Sequence, residues 1–282
     1  YVPLKEREHL IHKYLRSSKR FPHIWCPGCG IGILLGALIR AIDGGGYGKD
    51  EIVLISGIGC SGRLPTYVDF NTLHTTHGRA LTFATGIKLG KPSLKVIAVM
   101  GDGDATAIGG NHFIHAARRN VGITSIVINN QIYGMTGGQF SPTTPFRLRT
   151  SSSPYGNLES PFDICGLARE AGATFVARST VYHARLLEEV IGMAIRKEGF
   201  SVVEVVSHCT TYFGREIGLK SPVEMMKWQR DNAVRVEKAK DLGEEELGQK
   251  IVIGVLVDRK VPAYHEMYEE LTAKCRLEDN AP

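Results

Sequence analysis

No long apolar run occurs in this chain. The best stretch, Ile31 to Ile39, is short, holds Gly32 and Gly36, and is followed by Arg40. Crossing a bilayer takes about 20 apolar residues, so no membrane segment is expected. Cysteine is sparse, six in 282 residues, too few for a disulfide scaffold in a chain of this length. Neither sign of charge dominates: 34 Lys and Arg against 29 Asp and Glu leave +5. The basic residues are scattered, which excludes a nucleic-acid-binding stripe. There is no repeat or low-complexity segment, and the 32 glycines follow no three-residue period. The opening residues, Tyr1 to Glu8, lack the layout of a secretory signal. The expectation is a cytoplasmic chain whose partners include neither membrane nor nucleic acid.

What is present is an ordinary globular mix, 43% apolar and 22% charged, enough for one large domain or two small ones. Most glycines precede residue 140, where tight turns bring backbone close to something. The pattern predicts helices over 30–42, 79–90, 106–119, 162–171 and 183–197. Continuous apolar runs predict buried strands over 52–56, 95–100, 123–128, 174–178 and 201–206. Such alternation implies an α/β fold, a parallel sheet covered by helices on both faces. A Gly-, Ser-, Thr- and Pro-rich loop is expected over 134–161, and loops of that length are usually functional or flexible. Residues 1–215 are expected as the main domain. Residues 216–282, with mixed charge and one apolar run from Ile251 to Val257, are expected as a C-terminal extension packed on it or on a partner.

Chemistry gathers where the strands end. Small residues there let backbone N–H groups reach a phosphate, and Asp and Asn oxygens suit Mg²⁺. Gly101-Asp102-Gly103, with Asn129-Asn130 closing the next strand, resembles the motif of thiamine-diphosphate enzymes, although two ordinary turns would look alike. Four cysteines also sit in or beside turns: Cys26 and Cys29 in Cys-Pro-Gly-Cys, Cys60 in Gly-Cys-Ser-Gly, and Cys209 just past an apolar run. Four thiolates suit zinc or a [4Fe–4S] cluster, and the spacing leaves both open beside plain reduced cysteines. Cys165, in a helical stretch, and Cys275, in the charged tail, read as ordinary. His77 and Arg79 precede a helix, either contacting a ligand or capping the turn. His74 and His112 read as structural. Arg63 reads as a carboxylate anchor or a surface charge, and Tyr133 and Met135 as pocket wall or packing.

In order along the chain come Cys26-Pro-Gly-Cys29-Gly, Ser56-Gly-Ile-Gly-Cys60-Ser-Gly-Arg63, His77-Gly-Arg79-Ala and Gly101-Asp-Gly-Asp104. Asn129-Asn130-Gln-Ile-Tyr133-Gly-Met-Thr-Gly-Gly138-Gln and His208-Cys209 follow. The series resembles the β subunit of 2-oxoacid:ferredoxin oxidoreductases over about residues 20–215, and is most similar to the 2-oxoglutarate branch. The resemblance implies the thiamine-diphosphate-binding fold and three cofactors: thiamine diphosphate, Mg²⁺ and one [4Fe–4S] cluster. By resemblance, Cys26, Cys29, Cys60 and Cys209 bind the cluster, and Asp102, Asn130 and the Ile132 backbone bind Mg²⁺. Gly103, Asp104 and the 134–138 turn cradle the diphosphate, with Gly59, Ser61, Gly101, Gly134, Met135 and Thr136 completing the cofactor site. His77 and Arg63 are the catalytic candidates, Arg63 for the substrate's distal carboxylate.

No glutamate lies near these motifs, and in that family the acid at the aminopyrimidine ring comes from the α subunit. The resemblance therefore implies half an active site, completed by an α subunit in a heterodimer that pairs again, with CoA, a 2-oxoacid and ferredoxin as further partners. The implied reaction converts 2-oxoglutarate, CoA and oxidised ferredoxin to succinyl-CoA, CO₂ and reduced ferredoxin, or the reverse. Three alternatives stand beside it. One is a pyruvate or broad-range enzyme. Another is a non-redox thiamine-diphosphate enzyme, which leaves four cysteines idle. The third is a non-catalytic, metal-stabilised interaction subunit.

Overall fold

The computed structural model describes residues 10–18, 21–219, 221–248 and 250–279. Tyr1 to Glu8, read above for a secretory signal, lie outside them. The chain begins with α1 (Leu10–Tyr14), α2 (Ile31–Gly44), β1 (Ile52–Ser56) and β2 (Asn71–His74). Then come α3 (Ala80–Gly90), β3 (Lys95–Gly101), α4 (Gly110–Arg119) and β4 (Ile123–Asn129). Past a long loop lie α5 (Ile164–Glu170), β5 (Phe175–Thr180), α6 (Ala184–Arg196) and β6 (Ser201–Val206). The remainder holds α7 (Phe213–Glu216), α8 (Pro222–Asn232), β7 (Ala233–Arg235) and α9 (Val236–Ala239). It ends with α10 (Glu244–Leu247), β8 (Ile251–Asp258) and α11 (Tyr264–Asp279).

The central strands are buried along almost their whole length because both faces are covered. Successive residues point to opposite layers. Leu54, Val99, Ile128 and Val205 share one core with Leu34, Leu38 and Ile42 of α2 and Leu187 and Ile191 of α6. Ile55, Ala98, Val127 and Val202 share the other with Leu81 of α3, Phe113 of α4 and Ile164 of α5. Leu38, Ile39 and Ile42 are fully buried, and each such side chain stabilises the fold by about 1.5–3 kcal/mol relative to exposure.

The eight strands lie in the order β2-β1-β3-β4-β6-β5-β8-β7. From β2 to β5 every pairing is parallel, as expected. At one edge β8 runs antiparallel to β5, and β7 pairs with β8. The run seen at Ile251 to Val257 is thus a strand of the main sheet, which continues past residue 215. Helix α4 also begins later than expected, because a wide π-type turn occupies Asp104–Ile108. Such turns recur at functional sites. No described helix is long and apolar enough to cross a membrane.

Because β2, β1, β3, β4 and β6 are parallel, their carboxyl ends share one edge of the sheet. The loops that leave them meet there, where ligands of open α/β sheets bind.

Candidate active site

Two adjoining recesses open at that edge. The first is lined by most of the residues assigned by resemblance to the cofactor: Gly59, Ser61, Gly101, Asp102, Gly103, Asp104, Asn130, Ile132, Gly134, Met135 and Thr136, whereas Gly137 and Gly138 of the 134–138 turn are not part of that lining. His77 and Tyr133 line it too. The second is lined by Cys26, Cys29, Cys60 and Cys209 together with Arg63. Ile31, Cys60, Asn130, Gly134 and Met135 line both, so one wall serves two sites.

Asp102 leaves the end of β3 almost completely buried. Its Oδ2 accepts hydrogen bonds from Ser141 Oγ at 2.6 Å and Thr143 Oγ1 at 2.5 Å. Burial pushes its carboxyl up to about 6, against the pull of those two hydroxyls and the Gly103 N–H. Oδ1 faces Asn130. A nitrogen of the Asn130 amide turned that way would donate to Ile132 O at 2.7 Å and Asp102 Oδ1 at 3.2 Å. With the amide oxygen turned there instead, three acceptors converge with no hydrogen between them, the oxygen donor set a hard cation takes. Gln131, between Asn130 and Ile132, has φ 60. That left-handed geometry is costly for a non-glycine residue and turns the Ile132 carbonyl back beside Asn130.

A diphosphate also fits the first recess. Ser61 Oγ is buried there without a hydrogen-bond partner. In the turn after β4, Gly137 and Gly138 hold positive φ values of 118 and 85, and Gly138 N donates to Tyr133 O at 2.9 Å. Gly103 is constrained from the other side, since a Cβ there would stand 2.2 Å from the Tyr133 ring. Asp104 is buried as well, and burial raises its carboxyl although Gly78 N–H and His77 oppose the shift. The acids among the lining residues are Asp102 and Asp104, with no glutamate.

In the second recess the Cys26-Pro-Gly-Cys29 turn closes with Cys29 N donating to Cys26 O at 3.0 Å. Gly28 holds φ +76, packed where a Cβ would strike Pro222 at 2.2 Å. His208 Nε2 bonds Gly28 O at 2.6 Å, and Trp25 Nε1 donates to Cys60 O at 2.8 Å, so both cysteine loops are pinned from outside. Burial pushes the Cys29 thiol up to about 12, and nearby Cys60, Cys209 and Cys26 push the same way. Burial likewise raises Cys60, with Arg63 opposing. Thiols so disfavoured as free thiolates suit cation ligation, where the metal's charge compensates. Four such thiols around one recess could ligate a zinc ion or a [4Fe–4S] cluster.

The other candidates are elsewhere. Arg63 is exposed and lines only the second recess. Arg79 pairs with His112 outside both recesses. His74 Nδ1 lies 2.8 Å from Ser56 Oγ. Sequence reading missed Ser141 and Thr143, which hold Asp102 from inside the loop noted only as functional or flexible. It also missed Glu204, buried on β6, which accepts from Asn129 Nδ2 at 2.7 Å and from Arg178 Nε at 2.7 Å and so steadies the end of β4 just before Asn130.

Residues 51–205 match the thiamine pyrophosphate enzyme, C-terminal TPP binding domain. The chain is 47% identical over 266 residues to the 2-oxoglutarate synthase subunit KorB of Methanocaldococcus jannaschii, covering 94% of this chain and 98% of that one. It is 50% identical over 267 residues to the subunit of the same name from Archaeoglobus fulgidus, covering 95% and 96%. Among solved structures, the 2-oxoglutarate:ferredoxin oxidoreductase from Magnetococcus marinus with 2-oxoglutarate, coenzyme A and succinyl-CoA bound is similar. Its TM-score is 0.85 at 32% identity, over 96% of this chain and 92% of that chain.

Proposed function

The chain belongs to the β-subunit family of 2-oxoacid:ferredoxin oxidoreductases, on the 2-oxoglutarate synthase branch, and from that premise we propose how its two recesses divide the work. It is the thiamine-diphosphate-binding β subunit of a heteromeric enzyme, with an α subunit as partner. The heteromer converts 2-oxoglutarate and CoA to succinyl-CoA and CO₂, with ferredoxin as electron acceptor, and runs in reverse when ferredoxin is reducing enough. The observation that carries this reading is the shared wall: the motif for the organic cofactor lines one recess, four cysteines line the next, and Cys60, Asn130, Gly134 and Met135 belong to both.

Thiamine diphosphate, when bound, supplies a carbon nucleophile for the 2-oxo group and a sink for the electrons left as CO₂ departs. Asp102, Asn130 and the Ile132 carbonyl would hold Mg²⁺. Ser61 Oγ and the backbone of Gly103, Asp104 and the 134–138 turn would orient the diphosphate. Cys26, Cys29, Cys60 and Cys209 would hold one [4Fe–4S] cluster, a one-electron acceptor. His77 presents a ring nitrogen to the first recess for proton handling. Arg63 is assigned to the distal carboxylate of 2-oxoglutarate. Its position in the second recess keeps a broader 2-oxoacid range as the second reading.

Anaerobic co-expression with a family α subunit, followed by CoA-dependent assays on 2-oxoglutarate, pyruvate and 2-oxobutyrate, tests the proposal. A broad, oxygen-sensitive absorption band in the blue and oxidation of 2-oxoglutarate are expected. A colourless complex that oxidises no 2-oxoacid would overturn it.

A further inference from the structure

Asp104 ends the Gly-Asp-Gly-Asp run, and resemblance assigns it to the diphosphate cradle. Its carboxylate is turned elsewhere. The side chain is 1% exposed, and Oδ1 lies 2.5 Å from His77 Nδ1 and accepts from Gly78 N–H at 2.7 Å. Oδ2 is buried without a hydrogen-bond partner, at a point where a Cβ on Gly57 would come within 1.8 Å of it. Any side chain at residue 57 would therefore displace the carboxylate. Tyr133 stands on another side, its ring edge-on to the His77 ring at 6.2 Å. Loops after β1, β2 and β4 are thus shaped around one carboxylate–imidazole pair.

An ionised carboxylate accepts hydrogen bonds and cannot donate them, and it repels the oxygens of a diphosphate. Within the functional reading above, we propose that Asp104 is a positioning residue for His77, holding the Nδ1 proton so that Nε2 faces the first recess as the proton acceptor. A neutral imidazole has one donor and one acceptor nitrogen, so a fixed acceptor at Nδ1–H assigns the lone pair to Nε2. Without the carboxylate, the other tautomer and a turned ring become accessible, and the useful form is diluted. This role uses the side chain and leaves the backbone of Asp104, the part assigned to the diphosphate, in place.

The test compares Asp104→Asn, His77→Ala and their double variant in the co-expressed complex, with thiamine diphosphate affinity read by calorimetry and kcat and KM read by assay. Asp104→Asn is expected to bind thiamine diphosphate within about threefold of the unsubstituted complex, with KM unchanged and kcat lowered about 10- to 100-fold. The double variant should be no slower than His77→Ala alone, because Asp104 acts through the histidine. Losses that multiply would overturn the proposal, as would an Asp104→Asn complex that loses tenfold or more in cofactor affinity while keeping its kcat. Should Asp104→Asn fail to assemble, His77→Asn decides: its amide can still donate to Asp104 Oδ1 but has no counterpart of Nε2. Activity like that of His77→Ala supports the proposal, and near-normal activity reduces the pair to a structural one. An unsubstituted complex that binds no thiamine diphosphate would instead overturn the functional reading itself.

Discussion

Gly134, on the wall of the first recess, lies against Cys209 in the second: a Cβ on the glycine would stand 3.4 Å from the sulfur. That is ordinary van der Waals contact, so at this point of the shared wall only the glycine backbone stands between the recess lined by Asp102 and the recess lined by four cysteines. Direct contact lets the two be chemically coupled while their ligands remain distinct. Substitutions on one side should therefore leave binding on the other largely intact.

Cys60→Ala is the first case. Cys60 lines both recesses, and its thiol is assigned to the cluster in the second. Iron content and the blue absorption band should fall, oxidation with ferredoxin should drop at least about 100-fold, and thiamine diphosphate affinity should change by less than about threefold. Full iron content in the variant would remove Cys60 from the ligand set.

Asp102→Ala should do the converse. It deletes the charged member of the oxygen set, and a charge-assisted contact is worth ~1.5–3 kcal/mol, so cofactor affinity in Mg²⁺ should fall about 10- to 100-fold. The cluster colour should persist. Calorimetry showing unchanged affinity would move the cation site elsewhere.

The same carboxylate sets a pH dependence. Burial raises Asp102 from 3.8 to about 6, so in the absence of a cation its ionisation works against the fold as pH rises between those values. A bound cation reverses the preference, and below about pH 6 its binding must displace a proton. The gain in Tm on adding Mg²⁺ and thiamine diphosphate should therefore be large near pH 7.5 and shrink toward pH 5. A gain that does not vary with pH would count against Asp102 as a ligand.

Asp102, Asn130, Cys60 and Cys209 are legible in the sequence because strand ends show where apolar runs stop, and Cys26 and Cys29 because of their Cys-Pro-Gly-Cys turn before α2. Ser141 and Thr143 are not, since they reach Asp102 across 39 and 41 residues and no local pattern marks the contact. β2 is missed for a different reason: Asn71-Thr72-Leu73-His74 lies at the sheet edge, with none of its residues buried, and has no apolar run. The apolar run of β8 is visible, but its antiparallel partner β5 is written nowhere nearby. Asp104 shows the limit of motif reading, because the direction of its carboxylate depends on Gly57 and His77, each in another loop.

The pairing of β8 predicts what ending the chain at residue 215 would do. β5 would become an unpaired edge, and Leu256 and Val257, which pack on the core, would be lost. Long apolar edges promote aggregation. The shortened chain should appear mainly in the insoluble fraction, or as large species by sedimentation. A soluble monomer melting at the full-length temperature would show that residues 216–282 are dispensable to the fold.

Arg63 carries the prediction about substrate. 2-Oxoglutarate has a second carboxylate that pyruvate lacks, and leaving that charge unpaired in a closed site is costly. A guanidinium is permanently charged and planar, the natural partner for it. Arg63 follows Cys60 by one turn and stands beside the wall shared by both recesses, yet it does not line the first. It also opposes the burial-driven rise of the Cys60 thiol, so its charge acts on the cysteines too. The two roles separate kinetically. If Arg63 grips the distal carboxylate, Arg63→Ile should raise KM for 2-oxoglutarate by roughly tenfold or more, for a contact worth ~1.5–3 kcal/mol. Its kcat should hold, and activity on pyruvate and 2-oxobutyrate should hold or rise. If Arg63 serves the cysteines instead, kcat should fall equally on all three substrates with KM unchanged, and the broader substrate range becomes the better reading.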